Sequence, residues 1–557
     1  MKKSKLMVAV LSVAMVSSLF AGCASKKTAG GSSSGIDKDQ HLTVAFNVND
    51  VKTLDPSKSS DGYSGNIDQE AQETLGREKI VNGKDIMTKA GASDWKVSSD
   101  GKTWTFTIRP NKWSDGKAVT AKDYEYSIKR TLDKKTASIY AYLLTGAGIK
   151  GAAAYNAGKG SADDVGVKAT DDKTLVITLD KPCTYFEKLL SGKLFTPQRQ
   201  DIVEKYGDKY GTTADSMVYS GPFKVDSIQM GAQVKLSKND SYWDKKTVKL
   251  QKVTVKFMPD ESARMNSLMN GELDIAGAPT QEWMDKLKTN DKLKGYTYSE
   301  TGTNYEFFNQ KVKLFSNANV RKAFLLAYNH PDQIKAFWQG TGKAAYSWVP
   351  DTISIGDDNY RQKAPEFMKD NATEAKALLK KGLQELGMST DPSKVKVTYL
   401  SGGTDSRSKE MADWVISNYK KNLGINVKVA AEEWAQFTDD VNNSKYEMAG
   451  MNWGADYNDP MTFFDMFQTG AGVVPTNWSN KEYDALVDDA KNTTDQAKRL
   501  ADFQKAEKIL INDNAVIIPT VFRTASPFVY KYVKNYNYIS FLGPGASEWK
   551  YMYTQGR

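Results

Sequence analysis

The sequence predicts an α/β protein of at least two lobes. Two observations carry this. The chain has 557 residues, too many for one hydrophobic core, because single cores stop growing at about 250–300 residues. Along it, stretches with an apolar residue at every second position alternate with stretches of helical periodicity. The composition, 40% apolar and 26% charged, is that of an ordinary globular protein, so the alternation is read as folded domains.

Residues 1–22 are set apart as a targeting segment. Lys2, Lys3 and Lys5 precede the apolar run Leu6 to Phe20, which is too short for an ordinary membrane span. The run ends in Leu19-Phe20-Ala21-Gly22-Cys23, which resembles a bacterial lipoprotein signal, with Phe20 where Leu is more usual. The resemblance makes Cys23 the lipidated first residue of the mature protein. Residues 23–40 are expected to be a flexible tether, since Ser25 to Gly35 offers no side chain able to anchor a core. No other stretch approaches spanning length, so the body is expected outside the cytoplasmic membrane, held by its N-terminus.

The folded part opens with the alternating strand Leu42–Phe46. Further alternating strands are read at Trp104/Phe106/Ile108, Leu175/Ile177/Leu179 and Val253/Val255/Phe257. Helices fall between them at Ala121–Arg130 and at Glu261–Met269, the latter closed by Asn270-Gly271. The second half repeats the mixture. Asn371–Leu386 is a helix stopped by Gly387, Val395–Leu400 a strand, Asp405–Leu423 a helix stopped by Gly424, and Ile425–Val429 a strand.

Charge and rare residues narrow the function. The formal net charge is +9, but lysines and carboxylates are interspersed, which argues against a nucleic-acid footprint. Two cysteines, Cys23 and Cys183, and two histidines, His41 and His330, leave no zinc site and no disulfide framework. No cofactor and no metal are expected. Ser-x-x-Lys occurs at Ser99, Ser114, Ser393, Ser406 and Ser417, in each case without the companion motifs of a penicillin-recognising site. Gly31–Gly35 matches Gly-x-Ser-x-Gly but lies in the tether, with neither a strand before it nor a helix after it. Gly340-Thr341-Gly342-Lys343 lacks the phosphate-loop spacing. A large exported chain with no catalytic constellation is read as a binding protein, not an enzyme.

The candidate ligand contact is Asn452-Trp453-Gly454-Ala455-Asp456-Tyr457-Asn458-Asp459-Pro460. Met448 to Gly454 is a short apolar run that ends in this polar corner, as a strand running into a turn does. On spacing alone Asp456 and Asp459 either cap the turn through local hydrogen bonds or, for Asp456, project into a cleft to receive a cation. Of the 12 Trp and 28 Tyr, Tyr140, Trp338, Trp348, Trp434, Trp453 and Trp478 sit in polar contexts and suit the walls of a ligand groove.

A resemblance sharpens the choice. Its most specific block is Asp100-Gly101-Lys102-Thr103-Trp104-Thr105-Phe106-Thr107-Ile108-Arg109, continuing through Lys112-Trp113-Ser114-Asp115-Gly116 to Val119-Thr120-Ala121-Lys122-Asp123. Thr53-Leu54-Asp55-Pro56, Tyr242-Trp243-Asp244, Asn270-Gly271-Glu272-Leu273-Asp274 and Asn422-Leu423-Gly424-Ile425 support it in order, as does the corner itself. The chain resembles the extracytoplasmic oligopeptide-binding proteins of bacterial ABC importers, in the solute-binding family that includes dipeptide- and nickel-binding members.

The resemblance implies two α/β lobes joined by a hinge, the first discontinuous and carrying an extra subdomain. Lobe I is expected at 41–305, lobe II at 306–522, with a return to lobe I over 523–557. The expected ligand is a short extended peptide, enclosed between the lobes and passed to a permease and ATPase complex by a monomeric, lipid-anchored receptor. Asp456 matches the carboxylate that receives the peptide's α-amino group, Asn452 and Gly454 match backbone-pairing positions, Trp453 and Trp434 match pocket walls, and Tyr140 matches a closing tyrosine. Two arginines of a relative are replaced by Val441 and Gly450, which leaves Arg407 and Arg523 as candidates for the missing positive charge. The segment Gly83–Ser93 also departs from the family pattern. A nickel complex, an opine, an oligosaccharide, or a sensing or adhesive role without transport are the alternatives on the same fold.

Overall fold

The computed structural model describes residues 35–81, 84–537 and 548–557. The targeting segment, Cys23 and most of the expected tether lie outside the described residues, as does Gly83. Three main sheets organise the rest. The first has seven strands in the order Leu293–Gly295, Pro527–Tyr530, Ile275–Gly277, His41–Phe46, Lys252–Phe257, Gln233–Lys238 and Phe223–Gln229. The second has six: Gly342–Ala344, Ile517–Ala525, Tyr298–Phe308, Met448–Gly454, Lys396–Gly402 and Asn426–Glu432. A four-stranded antiparallel sheet, Ala92–Val97, Thr103–Ile108, Thr174–Thr178 and Val167–Ala169, forms the subdomain of the first lobe.

Periodicity explains these elements. In His41–Phe46 the buried residues are Leu42, Val44 and Phe46, and the strand runs parallel to Lys252–Phe257 with Val44 opposite Val255. In Thr103–Ile108 Trp104, Phe106 and Ile108 are buried. Helix ends follow their caps. Asp260 accepts from the Ala263 amide at the start of Glu261–Met269, and Asp405 accepts from Ser408 at the start of Ser406–Leu423. The latter helix ends at Gly424, which takes the left-handed conformation (φ +79°) that a side chain disfavours.

Both ends of the described chain belong to the seven-stranded lobe, so that lobe is discontinuous. Arg77, fully buried, bonds Glu73 at 2.8 Å and Glu548 at 3.0 Å. The expected tether is also shorter than 23–40. Asp37 donates its amide to the Thr554 carbonyl, and Gln40 exchanges two hydrogen bonds with the Thr554 backbone. Those reciprocal amide bonds, buried under the lobe, dock residues 37–40 onto it.

The chain leaves the seven-stranded sheet at Gly295 and enters the six-stranded one at Tyr298; it returns between Ala525 and Pro527. The expected crossings, at 305/306 and 522/523, therefore fall inside the two crossing strands. Those strands pair with each other from Tyr298↔Ala525 to Phe307↔Ile517, with register shifts between Ser299 and Thr303 and between Asn304 and Tyr305. A bulge there lets the paired ribbon bend without giving up its ladder.

Candidate functional site

The strand Met448–Gly454 sits at the centre of the six-stranded sheet. On one side it pairs antiparallel with the crossing strand, from Gly302↔Gly454 to Phe308↔Met448. On the other it pairs with Lys396–Gly402 only at Tyr399↔Met448 and Leu400↔Ala449. From Gly450 to Gly454 the second edge is without a strand partner among the described residues. That free edge leads straight into the polar corner.

The corner is pinned from below. Asp459 is buried and takes two bonds from Arg499, at 2.8 and 3.0 Å, as well as the amide of Met461 at 3.0 Å. Asn458 accepts the Ser354 amide at 2.8 Å. Asp459 is thus the structural aspartate of the pair. Asp456 is the outward one, half-buried and lining a cavity of about 290 Å³ between the lobes.

That cavity collects residues from three directions. Asp61, Tyr140 and Lys193 come from the first lobe, Glu300 to Gly302 and Arg523 from the crossing strands, and Asn452 and Gly454 to Tyr457 from the second lobe. Tyr142, on the short helix Ala141–Gly146 of the subdomain, donates its hydroxyl to Asp456 across the cleft. Tyr185 of the subdomain stacks on Tyr457 at 4.7 Å, so the lobes are in contact here. The Lys193 ammonium lies 4.4 Å from the Tyr140 ring centre and donates to Ser59.

Burial pushes the Asp456 carboxyl up to about 6, against the Tyr142 hydrogen bond, the Lys193 charge and the Thr462 hydroxyl, which all favour the ionised form. A desolvated carboxylate with spare lone pairs suits a cationic ligand group that brings its own charge.

Five of the eight expected site residues, Asp456, Asn452, Gly454, Tyr140 and Arg523, line this one cavity. Arg523 is already engaged: it pairs with Glu300 at 2.9 Å and donates to Asn452 at 3.2 Å. Three lie elsewhere. Trp453 packs against the core and donates to the Thr462 carbonyl at 2.9 Å. Trp434 is 56% exposed and stacks on Phe437. Arg407 donates to the Phe337 carbonyl and covers the Trp338 ring. Of the other aromatics, Trp348 is core, wholly buried and bonded to the Phe463 carbonyl. Tyr142, Lys193 and Glu300 were not anticipated. Tyr142 alone had a local signal, two positions from Tyr140 on the same short turn.

The comparisons with known proteins agree with this architecture. Residues 87–474 match the model of the bacterial extracellular solute-binding proteins, family 5. The chain belongs to that family. This family 5 protein is 35% identical over 508 residues to the dipeptide-binding protein DppE of Bacillus subtilis, which covers 90% of this chain and 91% of that one. It is also 35% identical over 529 residues to the oligopeptide-binding protein OppA of the same organism, covering 93% and 94%. Among solved structures, Listeria monocytogenes OppA bound to peptide superposes with a TM-score of 0.80 at 29% identity, covering 93% of this chain and 99% of that one. The match over both lobes and the return segment fits a solute-binding protein that encloses its ligand.

Proposed function

We propose that this family 5 protein captures short extended peptides outside the cytoplasmic membrane and delivers them to an ABC importer. One observation carries the reading: the free strand edge over Gly450 to Gly454 brings Asn452 and Gly454 to the wall of an inter-lobe cavity that also holds the Asp456 carboxyl. An extended peptide completes such an edge through main-chain hydrogen bonds, and its α-ammonium then lies at the carboxylate. The likeness to OppA proteins, one of them solved with a peptide, supports it.

In this reading Asn452 and Gly454 pair with the ligand backbone and Tyr140 closes over it from the first lobe. Arg523 exchanges Glu300 for the peptide carboxylate. The hinge is the bulged ribbon of the two crossing strands. The receptor is a monomer, anchored to the outer face of the membrane by lipid on Cys23.

Calorimetry of one peptide in free, N-acetylated and C-amidated forms tests the orientation. The free form binds tightly, acetylation nearly abolishes binding, and amidation costs less, because Arg523 already has a carboxylate partner. Equal affinity for free and acetylated peptide removes Asp456 from this role.

A further inference from the structure

The crossing strand Ile517–Ala525 is braced from the second lobe by His330, one of the two histidines of the chain. In its ladder with Tyr298–Phe308 this strand skips a residue: Tyr305 faces Pro519, Asn304 faces Val521, and Thr520 falls between them. Such a bulge disrupts the ladder locally. Two side-chain bonds hold it. The Thr520 hydroxyl donates to the Asn304 carbonyl at 3.0 Å, and His330 Nε2 lies 2.9 Å from the Pro519 carbonyl.

His330 is fixed on its other side as well. It is wholly buried, and it follows Asn329, which takes a left-handed conformation (φ +52°) uncommon for a residue with a side chain. Asp370, just ahead of the helix Ala372–Glu385, accepts the His330 amide on Oδ2 at 2.8 Å and meets ring Nδ1 with Oδ1 at 2.6 Å. Among the described residues His330 is the only basic group within ion-pair distance of Asp370.

Both ring nitrogens thus face oxygen acceptors. A neutral imidazole has one N–H and one lone pair, so in either tautomer a buried lone pair would press against a carboxylate or a carbonyl. Hydrogen on both nitrogens satisfies both contacts, and Asp370 matches the charge. The remaining neighbours are committed elsewhere. Tyr346 and Tyr328 pack on the ring at 4.7 and 4.9 Å between centres. The Tyr346 hydroxyl reaches Asp370 at 3.4 Å, and the Tyr328 hydroxyl goes to Glu306. Asp332, on the same short helix, accepts the Trp414 indole at 3.1 Å.

We infer that His330 is a proton-dependent clamp on the crossing strand: the doubly protonated ring ties the bulge at Pro519 to Asp370, and loss of one proton releases it. The inference concerns the strand and stands whatever ligand the cleft takes. Its sign follows from linkage. The folded chain uses the second ring proton and the unfolded chain does not, so the clamp is closed at low pH and opens as pH rises through the titration of the ring. Because this strand leads back to the first lobe, the lobes are coupled more loosely on the alkaline side.

The test is made on the purified ligand-free protein. Nitrogen-15 spectra of the two imidazoles, assigned with His41→Gln, show hydrogen on both nitrogens of His330 at pH 7; a bare ring nitrogen there overturns the inference. Amide hydrogen exchange over 517–525, corrected for the intrinsic effect of pH, is roughly tenfold or more faster at pH 9 than at pH 7, as the loss of a charge-assisted hydrogen bond implies. Asp370→Asn separates the cause. The amide that replaces the carboxylate donates to Nδ1, so a neutral ring keeps its N–H for Pro519 and exchange becomes equal at the two pH values. Glu306, on the facing strand, is pushed by burial up to about 8 and titrates in the same interval. The variant leaves Glu306 in place, so a pH effect that survives Asp370→Asn belongs to that acid and overturns the inference. Wild-type exchange that is the same at pH 7 and pH 9 overturns it too.

Discussion

Tyr142 of the first lobe donates its hydroxyl to Asp456 of the second. This bond and the Tyr185–Tyr457 stack both join the two lobes beside the cavity. Asp456 therefore has two tasks, one toward the opposite lobe and one toward the ligand.

Asp456→Ala reduces peptide affinity by roughly two to three decades, because the peptide ammonium is then enclosed without a counter-charge. Calorimetry reads the loss, and the ligand-free variant keeps a melting temperature near that of wild type.

Affinity falls with acidity. The Asp456 carboxyl is raised to about 6 by burial in the free protein, and a bound ammonium lowers it. Binding is therefore at full strength above about pH 6 and weakens as pH falls through that value, by at most tenfold per unit. A titration of Kd from pH 8 to pH 4.5 checks the midpoint. An affinity flat through pH 6 contradicts the assignment.

Tyr142→Phe removes a hydrogen bond that favours the ionised form of Asp456. The midpoint of that same pH profile moves upward in the variant. Small-angle scattering of the ligand-free variant gives a larger radius of gyration than wild type, since a hydrogen bond across the cleft is gone.

Arg499→Met leaves Asp459 buried without its cation. Breaking one side of such a pair costs about 3–5 kcal/mol, measured as a lowered unfolding midpoint. Peptide binding weakens as well, because the corner that presents Asp456 is no longer pinned.

Cys23→Ala releases the protein from the membrane to the soluble exported fraction, because stable attachment requires the lipid chains that Cys23 is proposed to carry. Fractionation after a high-salt wash decides it; a variant that stays on the membrane refutes the anchor.

What the sequence made legible was local. Caps and left-handed glycines gave helices such as Glu261–Met269 and Ser406–Leu423, and alternation gave strands such as His41–Phe46. The corner was legible as a strand entering a turn, and the motif singled out Asp456. Pairings between distant segments were not legible. Nothing near Lys193 announces that it comes to face Asp456. Glu300 meets Arg523 only because the two crossing strands run side by side. Aromatic burial was misread for the same reason. Trp348 and Trp434 both sit in polar sequence, yet one is wholly buried and the other 56% exposed, because the sheet behind each decides its surroundings.

The free strand edge has a consequence for how this protein lives among others. An unpaired edge is a template on which a second chain can add a strand, and proteins that display one are prone to stick to their own copies. Here Asn452 and Gly454 of the edge face a cavity that Tyr140 and Lys193 of the opposite lobe also line, and Tyr142 of that lobe bonds Asp456 beside it. A cavity of about 290 Å³ has room for a thin chain and none for a strand that belongs to a folded body. The same two-lobed closure that encloses a peptide thus also guards the protein against self-association. Mutations that prop the lobes apart carry a solubility cost as well as a binding one.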